Sequence, residues 1–174
     1  MQYFSINCGA RKRNRLQNYD YSNNGWYFVT ICVKNRNKIF GKIKNGKIVL
    51  NEYGKIVNTQ WSWLKAQYNY IKLDEYILMP DHIHGIIVIT NNHSVGAGRD
   101  LPLQSQQKIK SLPELIGAFK TTSSKIIHRN GLKNFAWQRS FYDSIIHDET
   151  SLENIREYIR NNTRISEPRR SIRM

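Results

Sequence analysis

Two histidines and a tyrosine are the residues in this chain whose types and spacing could do chemistry. In Met79-Pro80-Asp81-His82-Ile83-His84-Gly85-Ile86-Ile87-Val88-Ile89 the imidazoles stand two residues apart. Successive strand side chains point to opposite faces, so on a strand His82 and His84 project together while Ile83 turns toward a core. Two imidazoles so placed can share one divalent cation. The same spacing serves strand histidines that only hydrogen-bond near a sheet edge, and it does not separate the two readings. Farther on, Tyr158-Ile159-Arg160-Asn161-Asn162 sets a phenol and an amide one helical turn apart on one face. A tyrosine can act as a covalent nucleophile. An amphipathic helix with a polar C-terminal residue has that spacing too, and with ten tyrosines in the chain, residue type alone does not choose among them.

Composition points to a polyanionic partner. The 174 residues hold 27 Lys plus Arg against 13 Asp plus Glu, a net charge of +14, and the pI is near 9.9. That is the electrostatic footprint of a protein that meets phosphates, and nucleic acid is the expected partner. A solvated basic surface or attraction to anionic lipid would give the same composition. There is no long uncharged apolar stretch, and Met1-Gln2-Tyr3-Phe4-Ser5 lacks the basic-then-apolar order of a signal peptide. The expectation is a soluble cytoplasmic protein with no membrane segment. Cys8 and Cys32 have neither zinc-ligand spacing nor a disulfide framework, which fits a reducing compartment.

The elements that must position these residues read as a single domain over 1–174, with a basic N-terminal arm over 1–18 and a basic C-terminal tail over 163–174. Trp26 to Val33 predicts a strand. Phe40 to Leu50 brackets Lys44-Asn45-Gly46-Lys47, an Asn-Gly hairpin signal. Asn51 can cap a helix from Glu52 to Tyr68, with Ile56, Trp63 and Leu64 at roughly helical spacing. Strands over Leu73 to Leu78 and from His82 onward flank a turn at Pro80-Asp81. Asn91 to Lys110, with Gly96, Gly98 and Pro102, reads as a long surface loop. Ser111, Pro113 and Glu114 form the start of a second helix, with Leu115, Phe119 and Ile126 facing the core and Asn130-Gly131 ending it. Trp137 to Ile146 alternates as another strand, and a last helix spans about Ser151 to Asn162 on a stripe of Leu152, Ile155 and Ile159. The predicted fold class is α+β: a ferredoxin-like or RRM-like antiparallel sheet with helices packed on it, a β-hairpin insertion and a C-terminal helix carrying Tyr158.

Several stretches together resemble the single-tyrosine transposases whose motif is histidine-hydrophobe-histidine, the IS200/IS605-like family and its REP-associated branch. They are Tyr19-Asp20-Tyr21-Ser22, Gly25-Trp26-Tyr27-Phe28-Val29-Thr30-Ile31-Cys32, Lys34-Asn35-Arg36, the Met79 to Ile87 segment, Gly117-Ala118-Phe119-Lys120, Trp137 to Ile146 and Tyr158 to Asn162. The resemblance runs through most of the chain in order. It implies that His82 and His84 hold Mg2+ or Mn2+, that Tyr158 attacks DNA, and that Asn162 completes the metal site. The implied activity is cleavage and rejoining of single-stranded DNA near hairpins through a 5′-phosphotyrosine. One departure is Thr163, where the REP-associated branch usually has Pro after the Asn-Asn pair, so the end of the last helix can differ.

Other assignments remain open from sequence. A protein of the same fold that binds hairpin DNA without cutting it is the alternative, as is a replication-initiator or relaxase-like nickase, against which stands the lack of helicase or second-tyrosine features. Tyr142 is a rival nucleophile, placed on a strand without a polar partner one turn away. Arg11, Lys12, Arg13 and Arg15 in the arm, Lys120, Lys125, His128 and Arg129 on the second helix, and Arg139 are candidate DNA contacts, although basic helix faces are commonly only solvated. Trp61 and Trp63 could stack on bases, with core packing favoured for at least one. Whether the protein works as a homodimer is not legible.

Overall fold

The computed structural model describes residues 16–90 and 109–165, the last three by backbone alone. The arm residues Arg11, Lys12, Arg13 and Arg15, most of the loop expected over Asn91 to Lys110, and the end of the chain lie outside the described residues. Six strands and three helices follow in order: β1 (Gly25–Cys32), β2 (Gly41–Lys44), β3 (Lys47–Leu50), α1 (Glu52–Gln67), β4 (Ile71–Met79), β5 (His82–Ile89), α2 (Leu112–Arg129), β6 (Tyr142–Ile146) and α3 (Glu149–Ile165). β2 and β3 form the separate hairpin, turned by Asn45 and Gly46 at φ 49° and 68°, the paired positive values of an Asn-Gly turn. The other four strands make one antiparallel sheet in the order β4-β5-β1-β6. With the hairpin set aside, this is the expected α+β plan.

Local chemistry explains the element ends. Asn51 caps α1, its side-chain oxygen accepting from the Gly54 amide at 3.0 Å, and Ser111 with Glu114 forms the capping box of α2. Asp148 caps α3 by accepting from the Ser151 amide at 2.8 Å, so that helix starts earlier than expected from Ser151. With Thr163 in place of proline, α3 also continues past Asn162 to Ile165.

The sheet has two buried faces, and they differ. Tyr27, Val29, Ile31, Ile83 and Ile87 join Val57, Trp61 and Leu64 of α1 and Leu115, Phe119 and Ile127 of α2 in the larger core. The opposite face offers Trp26, Phe28, Ile86, Val88 and Ile146, and α3 covers it with Leu152, Ile155 and Ile159. Among the described residues no helix is long and apolar enough to cross a membrane.

Two expectations are corrected and one is met. The α2 stripe runs Leu115, Phe119, Ser123, Ile127 in steps of four, so Ile127 rather than Ile126 reaches the core. Trp61 is fully buried, and only Trp63 of the pair keeps an edge in solvent. Finally, the strand expected over Trp137 to Ile146 is confined to Tyr142–Ile146. Trp137 makes only an isolated bridge with Val33, and its buried indole donates to Ser123 Oγ at 3.0 Å. The Lys120 ammonium donates to the carbonyls of Gln138 and Ser140, replacing the ladder there.

Candidate active site

Strand alternation places even-numbered residues of β1 and β5 on the face beneath α3. His82 and His84 of β5 project there, and Thr30 of β1 lies opposite His84 in the register. Both histidines are buried, and their Nε2 atoms stand 3.0 Å apart. Each ring is anchored by its other nitrogen. His82 Nδ1 donates to Asp81 Oδ1 at 2.5 Å, and Asp81 Oδ2 accepts from Arg36 Nε at 3.0 Å. Burial opposes charge on Asp81, but the hydrogen bond from His82 and the Arg36 guanidinium outweigh it and hold the carboxyl below its usual value. An ionised carboxylate only accepts, so it selects the Nδ1–H form of His82 and leaves that Nε2 as a lone pair. His84 Nδ1 lies 2.7 Å from Thr30 Oγ1. A hydroxyl can donate or accept, so His84 can turn either an Nε2 proton or a lone pair toward His82. Burial first, with the Arg36 guanidinium adding to it, pushes the His84 pKa well below its ordinary value, which keeps the ring neutral.

This donor set fits a divalent cation. With both Nδ1 atoms donating, two lone pairs face each other at 3.0 Å, an arrangement that needs a positive charge between them. Metal–nitrogen bonds of ~2.1 Å allow one ion to touch both nitrogens. A carboxylate behind the ring, as Asp81 stands behind His82, is a usual support of metal-binding histidines.

α3 brings the phenol to the same point. Tyr158 Oη lies 3.5 Å from His84 Nε2, and Phe28 braces both rings, stacked on His84 at 5.6 Å and edge-on to Tyr158 at 6.2 Å. Asn162, one turn farther along α3, is buried as well. α3 is held over the sheet by ion pairs as well as by its apolar stripe. Arg156 donates to Asp74 at 2.6 Å and Arg160 to Glu75 at 2.8 Å. These carboxylates sit where the β4 register against β5 shifts between Leu73 and Tyr76, and the two arginines flank Tyr158 along α3. Among the described residues no cluster of three His, Cys, Asp or Glu could hold a metal.

The proposed DNA contacts divide. Lys125, Arg129 and Arg139 are exposed, whereas the Lys120 ammonium is engaged with the 138–140 carbonyls and lies over the Phe141 ring at 5.6 Å. His128 is tied to the Phe135 carbonyl at 2.8 Å. Tyr142 is opposite Thr30 on β6, which puts it on the same sheet face as the histidines, one strand beyond Thr30. Sequence reasoning did not single out Thr30, Phe28, Asp81 or Arg36 for the site. The even-numbered alternation of β1 could have pointed to the first two.

Comparison with other proteins bears on the fold and on the later part of the chain. The profile of the family described as "Transposase IS200 like" matches residues 103–162. A Haemophilus influenzae protein provisionally named a REP-associated tyrosine transposase is 28% identical over 146 residues, covering 83% of this chain and 74% of its own. Over residues 103–162, which run from before α2 to Asn162 of α3, the chain matches the IS200-like transposase family. A second, uncharacterized Haemophilus influenzae protein is 37% identical over 165 residues, covering 90% of this chain and 91% of its own. The profile match takes in Tyr158 and Asn162 but begins after β5. The histidine pair therefore rests on its own geometry. Two solved structures share the fold at 17% identity. One, described as a REP-associated tyrosine transposase bound to a REP hairpin, has a TM-score of 0.57 over 85% of this chain and 71% of its own. The other, a Deinococcus radiodurans R1 protein provisionally described as a transposase, has a TM-score of 0.50 over 84% of this chain and 95% of its own.

Proposed function

We propose that this chain cuts and rejoins single-stranded DNA beside hairpins through a covalent 5′-phosphotyrosine on Tyr158. The observation that carries the reading is the convergence of Tyr158 Oη on His84 Nε2 at 3.5 Å, with His82 Nε2 3.0 Å farther on. A nucleophile and two buried imidazole nitrogens thereby meet at one point between sheet and helix. His82, His84 and the Asn162 amide would hold Mg2+ or Mn2+, which when bound relieves charge on the non-bridging oxygens of a phosphodiester.

The chain's own residues do the rest. Asp81 and Thr30 fix the imidazole orientations, Phe28 holds Tyr158 against His84, and the Arg156 and Arg160 pairs keep α3 down on the sheet. Tyr158 Oη attacks phosphorus and gives up its proton as the bond to the 3′ oxygen breaks. That oxygen takes up a proton, leaving the 5′ phosphate on the tyrosine. The freed 3′ hydroxyl can attack in reverse and release Tyr158, so rejoining needs no external energy source. Exposed Lys125, Arg129 and Arg139 would supply phosphate contacts that give affinity without sequence information. The hairpin is proposed as the partner on the strength of the structural neighbour described with one.

The test is to incubate the protein with labelled hairpins drawn from its own gene's flanks, with Mn2+ or a chelator, and resolve covalent adducts on denaturing gels. Metal-dependent adducts that vanish in His82→Ala and His84→Ala, with DNA affinity retained, are the expected result. Undiminished adducts in His84→Ala would remove the histidine pair from the chemistry. Asn162→Ala is expected to be milder, since water can replace an amide oxygen.

A further inference from the structure

Just past the end of β1 is a cavity of about 430 Å3 whose lining contains none of the groups proposed to hold the metal or attack the DNA. One wall is the turn after β1, Lys34 to Arg36, and the other is Ala136 to Arg139. The turn is unusual, because Asn35 and Arg36 both adopt positive φ, 58° and 56°. Side-chain-bearing residues rarely take that conformation, and where they do, it commonly serves to present groups at a functional site. The second wall is pinned from two directions. The Lys34 amide donates to the Ala136 carbonyl and the Gln138 amide to the Cys32 carbonyl, at 2.9 and 2.8 Å, while Lys120 holds the carbonyls of Gln138 and Ser140 from behind. The shape is thus built into the fold.

The lining chemistry narrows the ligand. Lys34, Arg36 and Arg139 supply cations, Asn35 and Gln138 supply carboxamides, and no carboxylate is present. Lys34 and Arg139 are exposed, and neither is ion-paired among the described residues. Cations suit phosphate, and paired donor and acceptor carboxamides suit the edge of a base. Arg36 connects this cavity to the site, because its Nε donates to Asp81 Oδ2 at 3.0 Å and Asp81 in turn orients His82. We propose that this cavity holds one nucleotide of the single strand flanking the cut, with Lys34 and Arg139 on phosphate and Asn35 and Gln138 reading the base. The proposal rests on the single-strand reading above and adds the place and residues of a specificity subsite.

The test uses the full chain carrying Tyr158→Phe, so that binding is measured without cleavage. Two probes are titrated by fluorescence anisotropy across a salt series: a hairpin with a single-stranded flank and the same hairpin without one. For the flanked probe, Lys34→Ala with Arg139→Ala is expected to reduce the log-affinity against log-salt slope by about 1.4, two single-strand phosphates at ~0.7 each, and to leave the unflanked slope unchanged. Lys34→Arg with Arg139→Lys should restore the slope, which separates loss of charge from misfolding. Asn35→Gly, which keeps the positive φ, and Gln138→Ala should leave the slope alone but shrink the affinity spread among flanks of different base by about tenfold. Equal loss on both probes, or no loss on the flanked one, overturns the subsite. The two readings fail separately: no adduct in the wild-type chain with a flank-dependent slope removes the catalytic reading alone, and adducts with equal slopes remove this one alone.

Discussion

Thr30→Val is the change that asks most sharply whether the neighbouring strand sets the working form of His84. Thr30 and His84 are 2% and 3% exposed, and the 2.7 Å bond between Oγ1 and Nδ1 is wholly inside the fold. Valine matches threonine in shape, so no cavity opens and the perturbation reduces to one lost oxygen. A buried imidazole nitrogen left without its partner costs about 1–3 kcal/mol. Taking ~2 kcal/mol, a chain of this size should melt roughly 4–8 °C lower. A second effect is specific to the proposed site, since removing the group behind a metal-binding histidine weakens metal affinity or activity by about 10–100-fold. The assay is a Mn2+ titration of adduct formation beside a circular-dichroism melt. The Mn2+ midpoint should rise by that factor in Thr30→Val and return in Thr30→Ser, which restores the hydroxyl. A lower melting temperature with an unchanged Mn2+ midpoint would refute the reasoning and leave Thr30 a core residue.

Two other perturbations test how the site is held. Gly85 is a β5 residue on the side of the sheet that meets Trp61 of α1, and an added Cβ would come within 2.5 Å of Trp61 Cζ2 and 3.1 Å of Tyr76 Cβ. Because Trp61 is fully buried, Gly85→Ala should destabilise by about 1–3 kcal/mol through overpacking and, by displacing its neighbour His84, reduce adduct yield; an unchanged melting temperature contradicts this. Asp74, under α3, gives a pH test. Burial opposes its charge, but hydrogen bonds from Arg156 and the Glu75 amide and the charges of Arg156 and Arg160 outweigh it, so its carboxyl sits below the ordinary 3.8. A carboxyl depressed on folding contributes stability above its unfolded pKa and loses that contribution as pH falls through its lower folded value. Asp74→Asn should therefore lower the melting temperature near neutral pH and approach the parent as acidification protonates the carboxyl in both states; a gap that stays constant on acidification would show that the ion pair is not the cause.

What was legible in the sequence was mostly what is local. Asn51, the Ser111 and Glu114 box and the Asn45-Gly46 turn act within a few residues, and their signals survive folding. The shared face of His82 and His84 follows from strand alternation alone. Thr30 and Arg36 were hidden because their partners are set by register, with Thr30 meeting His84 across 54 positions. The Trp137 segment misled because its alternation is real while the carbonyls of Gln138 and Ser140 are taken by Lys120, a partner no strand pattern encodes. Ile126 differs from Ile127 by one position, about 100° around a helix, and the Leu115 to Phe119 step decides between them. Tyr142 has the opposite lesson. Sequence set it aside as a strand residue, yet the β1–β6 register turns it to the face of the histidines, so its exclusion as nucleophile must be measured.

The central claim is tested most directly by peptide-level mass spectrometry of the protein trapped on a flanked hairpin with Mn2+. The account predicts a nucleotide remnant on Tyr158, its complete loss in Tyr158→Phe with DNA affinity unchanged, and its persistence in Tyr142→Phe. A remnant on Tyr142, or adduct formation that survives Tyr158→Phe, would contradict the assignment of the nucleophile, and no remnant on any tyrosine would mean that the chain binds its hairpin without cutting it.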